Sequence, residues 1–126
     1  MTREKKRILV VDDQASATSL VKLYLEQSSD YVVREENDAT AAVHAAEAFQ
    51  PQLILLDVMM PGMDGGELAA LFQAHPKFTS VPIVFMTSLV TRDELAADHG
   101  QIGGQAYLAK PLVLSELVAC LKRHLG

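Results

Sequence analysis

The sequence predicts one α/β domain in which a parallel sheet is wrapped by helices on both faces. Three observations point to it. Short aliphatic runs alternate with amphipathic helical patterns five times along 126 residues, with only a few residues between them. Leu53-Ile54-Leu55-Leu56 is too short an apolar run for an independent helix and suits a strand buried on both faces. Strands and helices that alternate through short connections are satisfied by a parallel sheet with helices on both sides.

In chain order, Ile8 to Val11 is a β-branched and aliphatic strand that ends in Asp12-Asp13-Gln14. Ala17, Leu20, Val21, Tyr24 and Leu25 then fall at i, i+3, i+4, i+7 and i+8, the apolar face of a helix broken by Ser28-Ser29-Asp30. Tyr31-Val32-Val33 is a short strand, expected at an edge because Arg34, Glu35 and Glu36 follow at once. Asp38 is the expected N-cap of a second helix, whose Ala39, Ala42, Val43 and Ala46 form a small-residue face; Pro51 closes that unit. The central strand then delivers Asp57 at its C-terminal end. Met60-Pro61-Gly62-Met63-Asp64-Gly65 carries Pro and Gly at turn spacing and reverses the chain.

Glu67 to Ala74 is predicted as a short helix with Leu68, Leu71 and Phe72 on its buried side, stopped by Pro76. Val81 to Met86 is a strand that tolerates Pro82 only near its start, and it ends at Thr87-Ser88. Thr91 caps a fourth helix reaching to about His99, kept short by Gly100, Gly103 and Gly104. Ala106 to Ala109 is the fifth strand, followed by Lys110-Pro111. Leu114 to His124 is the last helix, with Leu114, Leu117, Val118, Leu121 and Leu125 on one stripe.

Length bounds the chain to a single domain, residues 1–126, with one sizeable core. A net charge of -5 argues against direct nucleic-acid binding. The basic cluster Arg3, Lys5, Lys6 and Arg7 is interrupted by Glu4 and reads as a solvated N-terminus. The run Ile8 to Val11 is too short for a signal peptide, and no segment approaches the ~18 apolar residues of a membrane span. Cys120 is the single cysteine, which excludes an internal disulfide, and its neighbours Val118 and Leu121 suggest a partly buried thiol. A cytoplasmic protein without membrane insertion is expected.

Ligands of open parallel sheets collect outside the carboxyl ends of the strands. Asp12, Asp13, Asp57, Thr87 and Lys110 all fall on that edge. Three carboxylates brought together repel by roughly 4 kcal/mol per pair at 4 Å in a surface-like dielectric, so something positive must relieve them. Hard oxygen ligands without His or Cys select a hard divalent cation, here Mg²⁺. Lys110 adds a flexible point charge and Thr87 a hydroxyl donor, so metal, ammonium and hydroxyl can each take one oxygen of a phosphoryl group. His44, His75, His99 and His124 lie on helices or helix ends away from this edge, and no Ser-His or Cys-His pattern is present. A carboxylate can itself attack phosphorus. Asp57, on the central strand, is the candidate nucleophile, with Asp12 and Asp13 left to hold the metal. Each residue taken singly also reads as a cap or turn residue; their conjunction on one edge is what points to phosphoryl chemistry.

Four segments, I-L-V-V-D-D-Q, L-I-L-L-D-V-M-M-P-G-M-D-G, P-I-V-F-M-T-S and A-Y-L-A-K-P, resemble the response-regulator receiver domains of two-component signalling, over essentially the whole chain. The resemblance implies a flavodoxin-like, five-stranded sheet in the order 2-1-3-4-5 with five helices. It implies Asp57 as phosphoacceptor, and Mg²⁺ held by Asp12, Asp13, Asp57 and the backbone carbonyl of Met59. Thr87 and Lys110 would contact the phosphoryl group, Tyr107 would couple the site to the surface, and the Lys110-Pro111 bond would be cis. The implied partners are a histidine kinase or histidine phosphotransfer protein and a downstream protein that reads the fourth helix, fifth strand and last helix.

Some positions depart from the family pattern. Gly66 replaces a larger apolar residue, which would loosen the start of the third helix. Gly103-Gly104-Gln105-Ala106 replaces the usual turn, and the span from Thr87 to Gly103 is about one residue longer than typical, so an irregular fourth helix is expected. Met59 and Leu89, two positions beyond Asp57 and Thr87, are apolar and would shield an acyl phosphate from water. Because the chain ends with its last helix, a stand-alone receiver is the expected form, although a receiver cut from a longer regulator would read identically. Two other readings stay open: a Mg²⁺-dependent phosphatase with an aspartyl nucleophile, although Met59 stands where such enzymes need a second acid, and a pseudo-receiver acting without phosphorylation.

Overall fold

The computed structural model describes residues 4–102 and 104–125. The elements are β1 (Lys6–Val11), α1 (Ala15–Glu26), β2 (Tyr31–Glu36), a 3-10 turn (Ala39–Ala41), α2 (Ala42–Phe49), β3 (Leu53–Asp57) and α3 (Gly65–Ala74). They continue with β4 (Ile83–Thr87), α4 (Arg92–Ala97), β5 (Gln101–Ile102), β6 (Gln105–Ala109) and α5 (Leu114–Leu125). The sheet order is β2-β1-β3-β4-β6-β5, with the five longer strands all parallel. β6 is the fifth strand of the sequence reading, so the 2-1-3-4-5 order and the five helices are as expected.

The added element is β5, which pairs antiparallel with β6 through Gln101↔Ala106 and Ile102↔Gln105. Two residues are too few to show an alternating pattern in sequence. The chain gets there because His99 and Gly100 adopt φ of 57° and 77°, ending α4 two residues short of the predicted His99. Gly104, at φ 82°, lies in the connection that turns the chain into β6. Gly103 of the predicted turn and Arg3 of the basic cluster lie outside the described residues.

The pleat sorts the strands into two half-cores. Ile8, Val10, Leu53, Leu55, Val84, Met86, Ala106 and Leu108 pack with Val21 and Leu25 of α1 and Leu117 and Leu121 of α5. Their chain neighbours Leu9, Val11, Ile54, Leu56, Ile83 and Phe85 face the other way, onto Ala42 and Ala46 of α2 and Leu68 and Phe72 of α3. Both faces of the central strands are therefore dry, as their unbroken aliphatic runs require.

Several boundaries differ from the sequence reading. β2 continues through Glu36, because as an edge strand it can carry charged residues on its open side. β4 begins at Ile83, after Pro82, and includes Thr87. α3 begins at Gly65 because Asp64 caps it, its Oδ1 accepting from the Glu67 N–H at 2.8 Å. Its buried stripe is Leu68, Ala69 and Phe72, while Leu71 is 48% exposed. Leu71 lies roughly 100° around the helix from the centre of that stripe. Asp38 caps the 3-10 turn that precedes α2, and Thr91 with Glu94 forms a capping box on α4.

Candidate functional site

Because the five longer strands run the same way, their C-terminal ends share one edge, and the register fixes which residues meet there. Val11 is level with Leu56, Asp57 with Met86, and Thr87 with Ala109. Asp12 and Lys110 are thus the first residues past the ends of β1 and β6, and Asp57 and Thr87 are the last residues of β3 and β4.

Asp12, Asp57 and Thr87 are buried although polar, and Asp13 is exposed. One oxygen from each of Asp12, Asp13 and Asp57 lies within 4.8 Å of the others, the acidic triad expected from sequence. The Lys110 ammonium donates to Asp12 Oδ2 at 2.6 Å and lies 3.1 Å from Asp57 Oδ1. Asp12 Oδ1 accepts from the Gln14 N–H at 3.0 Å. Thr87 Oγ1 accepts from the Leu89 N–H at 2.9 Å and keeps its own proton to donate. The Lys110 N–H donates to the Thr87 carbonyl at 2.8 Å, and the Lys110-Pro111 bond is cis.

These groups open onto a cavity of about 230 Å³ lined by Asp13, Asp57, Met59, Thr87, Leu89 and Lys110, among others. Met59 and Leu89 stand at its rim, 65% and 68% exposed. Three carboxylates, one of them solvent-facing, form a hard oxygen donor set that fits a small divalent cation. Electrostatics follow from burial. Burial pushes the Asp57 carboxyl up, the Lys110 hydrogen bond and charge oppose this, and the charges of Asp12 and Asp13 add to it; the net direction is upward. Burial alone would lower the Lys110 ammonium, but its hydrogen bonds and charge interactions with Asp12 and Asp57 outweigh it and raise its pKa.

Tyr107 is placed apart from this cluster, half-buried on the strand that leads to Lys110. Its ring lies 5.3 Å from that of Phe85. By the alternation of β4, Phe85 and Thr87 share a face, so Thr87, Phe85 and Tyr107 lie on the same side of the sheet. Tyr107 also borders a cavity of about 570 Å³ between α4 and α5.

The profile of the response regulator receiver domain matches residues 8–122. The chain belongs to this family. Among its relatives, the receiver domain is 33% identical over 120 residues to response regulator Rre1 of Synechocystis sp., a match covering 94% of this chain and 51% of Rre1. It thus spans about half the length of the curated relatives it matches. Its fold superposes on the chemotaxis protein CheY4 of Vibrio cholerae with a TM-score of 0.82 at 26% identity, over 97% of this receiver domain and all of CheY4. The receiver domain of sensor histidine kinase PA1611 from Pseudomonas aeruginosa, solved with a magnesium ion coordinated in its active-site cleft, matches with a TM-score of 0.78 at 26% identity, over 96% of this chain and 98% of that one.

Two residues that shape the receiver site escaped the sequence reading. A Cβ on Gly65 would sit 2.4 Å from the Asp57 carbonyl oxygen, so only glycine lets the start of α3 approach the end of β3 this closely. The Asp-Gly pair signalled a turn but not this contact. Asn37 donates from Nδ2 to the Asp12 carbonyl at 2.8 Å and to Thr18 Oγ1 at 3.0 Å, tying the end of β1 to α1. Nothing in the local pattern of Asn37 points 25 residues back along the chain.

Proposed function

We propose that residues 1–126 act as one phosphoacceptor receiver domain, taking a phosphoryl group onto Asp57 from a histidine kinase or a histidine phosphotransfer protein. The observation that carries this reading is the Lys110 ammonium held between Asp12 and Asp57, 2.6 and 3.1 Å away, at the mouth of a cavity bordered by Thr87. An ionised Asp57 oxygen forms a bond to phosphorus as the phosphorus–nitrogen bond of the donor phosphohistidine breaks. Lys110 and the Thr87 hydroxyl would each take a peripheral phosphoryl oxygen. Asp12, Asp13, Asp57 and the Met59 carbonyl would hold Mg²⁺, which neutralises charge as the phosphoryl group is transferred. The coordinated magnesium in the PA1611 receiver supports this assignment.

An acyl phosphate adds negative charge and strong acceptors where only a carboxylate stood. Thr87 moves towards it, and Tyr107, on the same face, turns into the space released. The surface built by α4, β6 and α5 then changes for a downstream protein, a population shift between two packings. The domain works as a cytoplasmic signalling module, with no direct contact to nucleic acid and no membrane insertion; among the described residues no helix is long and apolar enough to cross a membrane.

Intact-mass measurement after treatment with acetyl phosphate and Mg²⁺ tests the reading. Wild type should gain one phosphoryl group and Asp57→Asn none. An unmodified wild type, or equal gain in the variant, would overturn it.

A further inference from the structure

Arg92, the first residue of α4, directs its guanidinium at acceptors on other elements. Its Nε donates to Glu116 Oε1 at 2.8 Å, in the first turn of α5. Its Nη2 donates to the backbone carbonyl of Ala109 at 3.4 Å and to that of Pro111. These carbonyls stand immediately before and after Lys110. The Lys110 N–H is tied to Thr87 on β4, so the short segment carrying the ammonium is held from the sheet on one side and from α4 on the other.

We propose that Arg92 is a positioning residue for Lys110. By holding the carbonyls on either side of that residue, it sets where the ammonium lies relative to Asp57, and through Glu116 it ties that placement to α4 and α5. The inference rests on the phosphoacceptor reading above and adds to it a residue outside the cavity. Arginine suits the task because its planar fork presents several donors at fixed angles and can engage all three acceptors together. Lysine, a compact point charge, cannot span them. The Arg92–Glu116 pair is partly exposed on both sides, and such pairs contribute little to stability. Its effect should therefore be felt in the placement of Lys110 rather than in the melting of the fold.

The test uses the purified chain as wild type, Arg92→Ala and Arg92→Lys, with folding checked by circular dichroism. Two affinities are read by amide NMR titration: Mg²⁺ alone, and beryllofluoride at saturating Mg²⁺. The acids hold the metal, whereas Lys110 reaches the phosphoryl mimic, so the two should separate. Arg92→Ala is expected to bind beryllofluoride about tenfold more weakly, as displaced contacts in a preorganised site do, with Mg²⁺ affinity unchanged or tighter. Arg92→Lys should recover only part of the loss. If Arg92→Ala does not fold, Arg92→Lys carries the same comparison.

Beryllofluoride affinity equal to wild type would overturn the inference, as would a parallel loss of both affinities, which marks general damage. Full recovery in Arg92→Lys would also overturn it, because charge alone would then suffice. A wild type that binds neither beryllofluoride nor a phosphoryl group overturns the phosphoacceptor reading itself, and this inference with it.

Discussion

Lys110 and Asp12 stand 98 positions apart in the chain and are joined by a 2.6 Å ion pair whose carboxylate is fully buried. β1 and β6 are not neighbours in the sheet, so the pair reaches across the ends of β3 and β4, where Asp57 and Thr87 lie. A buried pair of this kind is a weak source of stability, because desolvation offsets much of the attraction. What it does here is concentrate charge at one place on the sheet edge.

Asp57 should therefore cost the fold stability when ionised. Burial, with the charges of Asp12 and Asp13, raises its pKa above the unfolded value despite Lys110. A carboxyl raised on folding favours the native state at pH below its unfolded pKa, and that contribution is lost as pH rises through the folded value. In metal-free buffer at pH 7, Asp57→Asn should be more stable than wild type, with a higher Tm. The advantage should shrink as the solution is acidified and wild-type Asp57 takes up its proton. Thermal melts across pH check this, and an Asn variant less stable than wild type at pH 7 would contradict it.

Removing the metal should matter through the same acids. Mg²⁺ at about 100 times its Kd should stabilise the native state by about 2.7 kcal/mol, and chelation should reverse the gain. Asp12→Asn combined with Asp13→Asn leaves one carboxylate of the triad and should abolish most of the shift. Scanning calorimetry with Mg²⁺ and then with EDTA gives the answer; an undiminished shift in the double variant would place the ion elsewhere.

Gly65→Ala introduces a methyl group 2.4 Å from the Asp57 carbonyl oxygen, where backbone and not a flexible side chain must yield. We expect a loss of about 1–3 kcal/mol, the range for forcing extra volume into a packed position. Phosphorylation by acetyl phosphate should also slow, since the displaced backbone carries the acceptor. Urea denaturation and a mass time course report the two effects separately, and a variant matching wild type in both would refute the contact.

Met59 and Leu89 both line the cavity beside Asp57 and Thr87 and are largely exposed at its rim. As apolar groups they should slow the approach of water to an acyl phosphate, making self-dephosphorylation slow. Replacing both with serine should speed phosphate loss by about three- to tenfold, as expected when a reacting centre becomes better hydrated. Phosphate release after rapid removal of the donor is the measurement, and equal rates would show that these side chains offer no shelter.

The sequence by itself determined the alternation of strands and helices and the polar residues that end the strands. Both are local properties: period 2 or 3.6 for burial, and a change from aliphatic to polar at a strand end. Asp12, Asp13, Asp57, Thr87 and Lys110 are therefore assigned to one edge by the sequence alone. The rest needed the tertiary structure, because it depends on pairs distant in the chain. Local pattern placed Leu71 with Leu68 and Phe72 on the buried side of α3, whereas packing buried Leu68 and Phe72 with Ala69 and left Leu71 half-exposed. It missed β5, whose two residues are held by pairing with β6 rather than by their own periodicity. It could not see that Gly65 touches the Asp57 carbonyl, that Asn37 holds the end of β1, or that Arg92 grips both sides of Lys110. Propensity acts over a few neighbouring residues, while a hydrogen bond or a steric contact acts between whatever atoms the fold brings together.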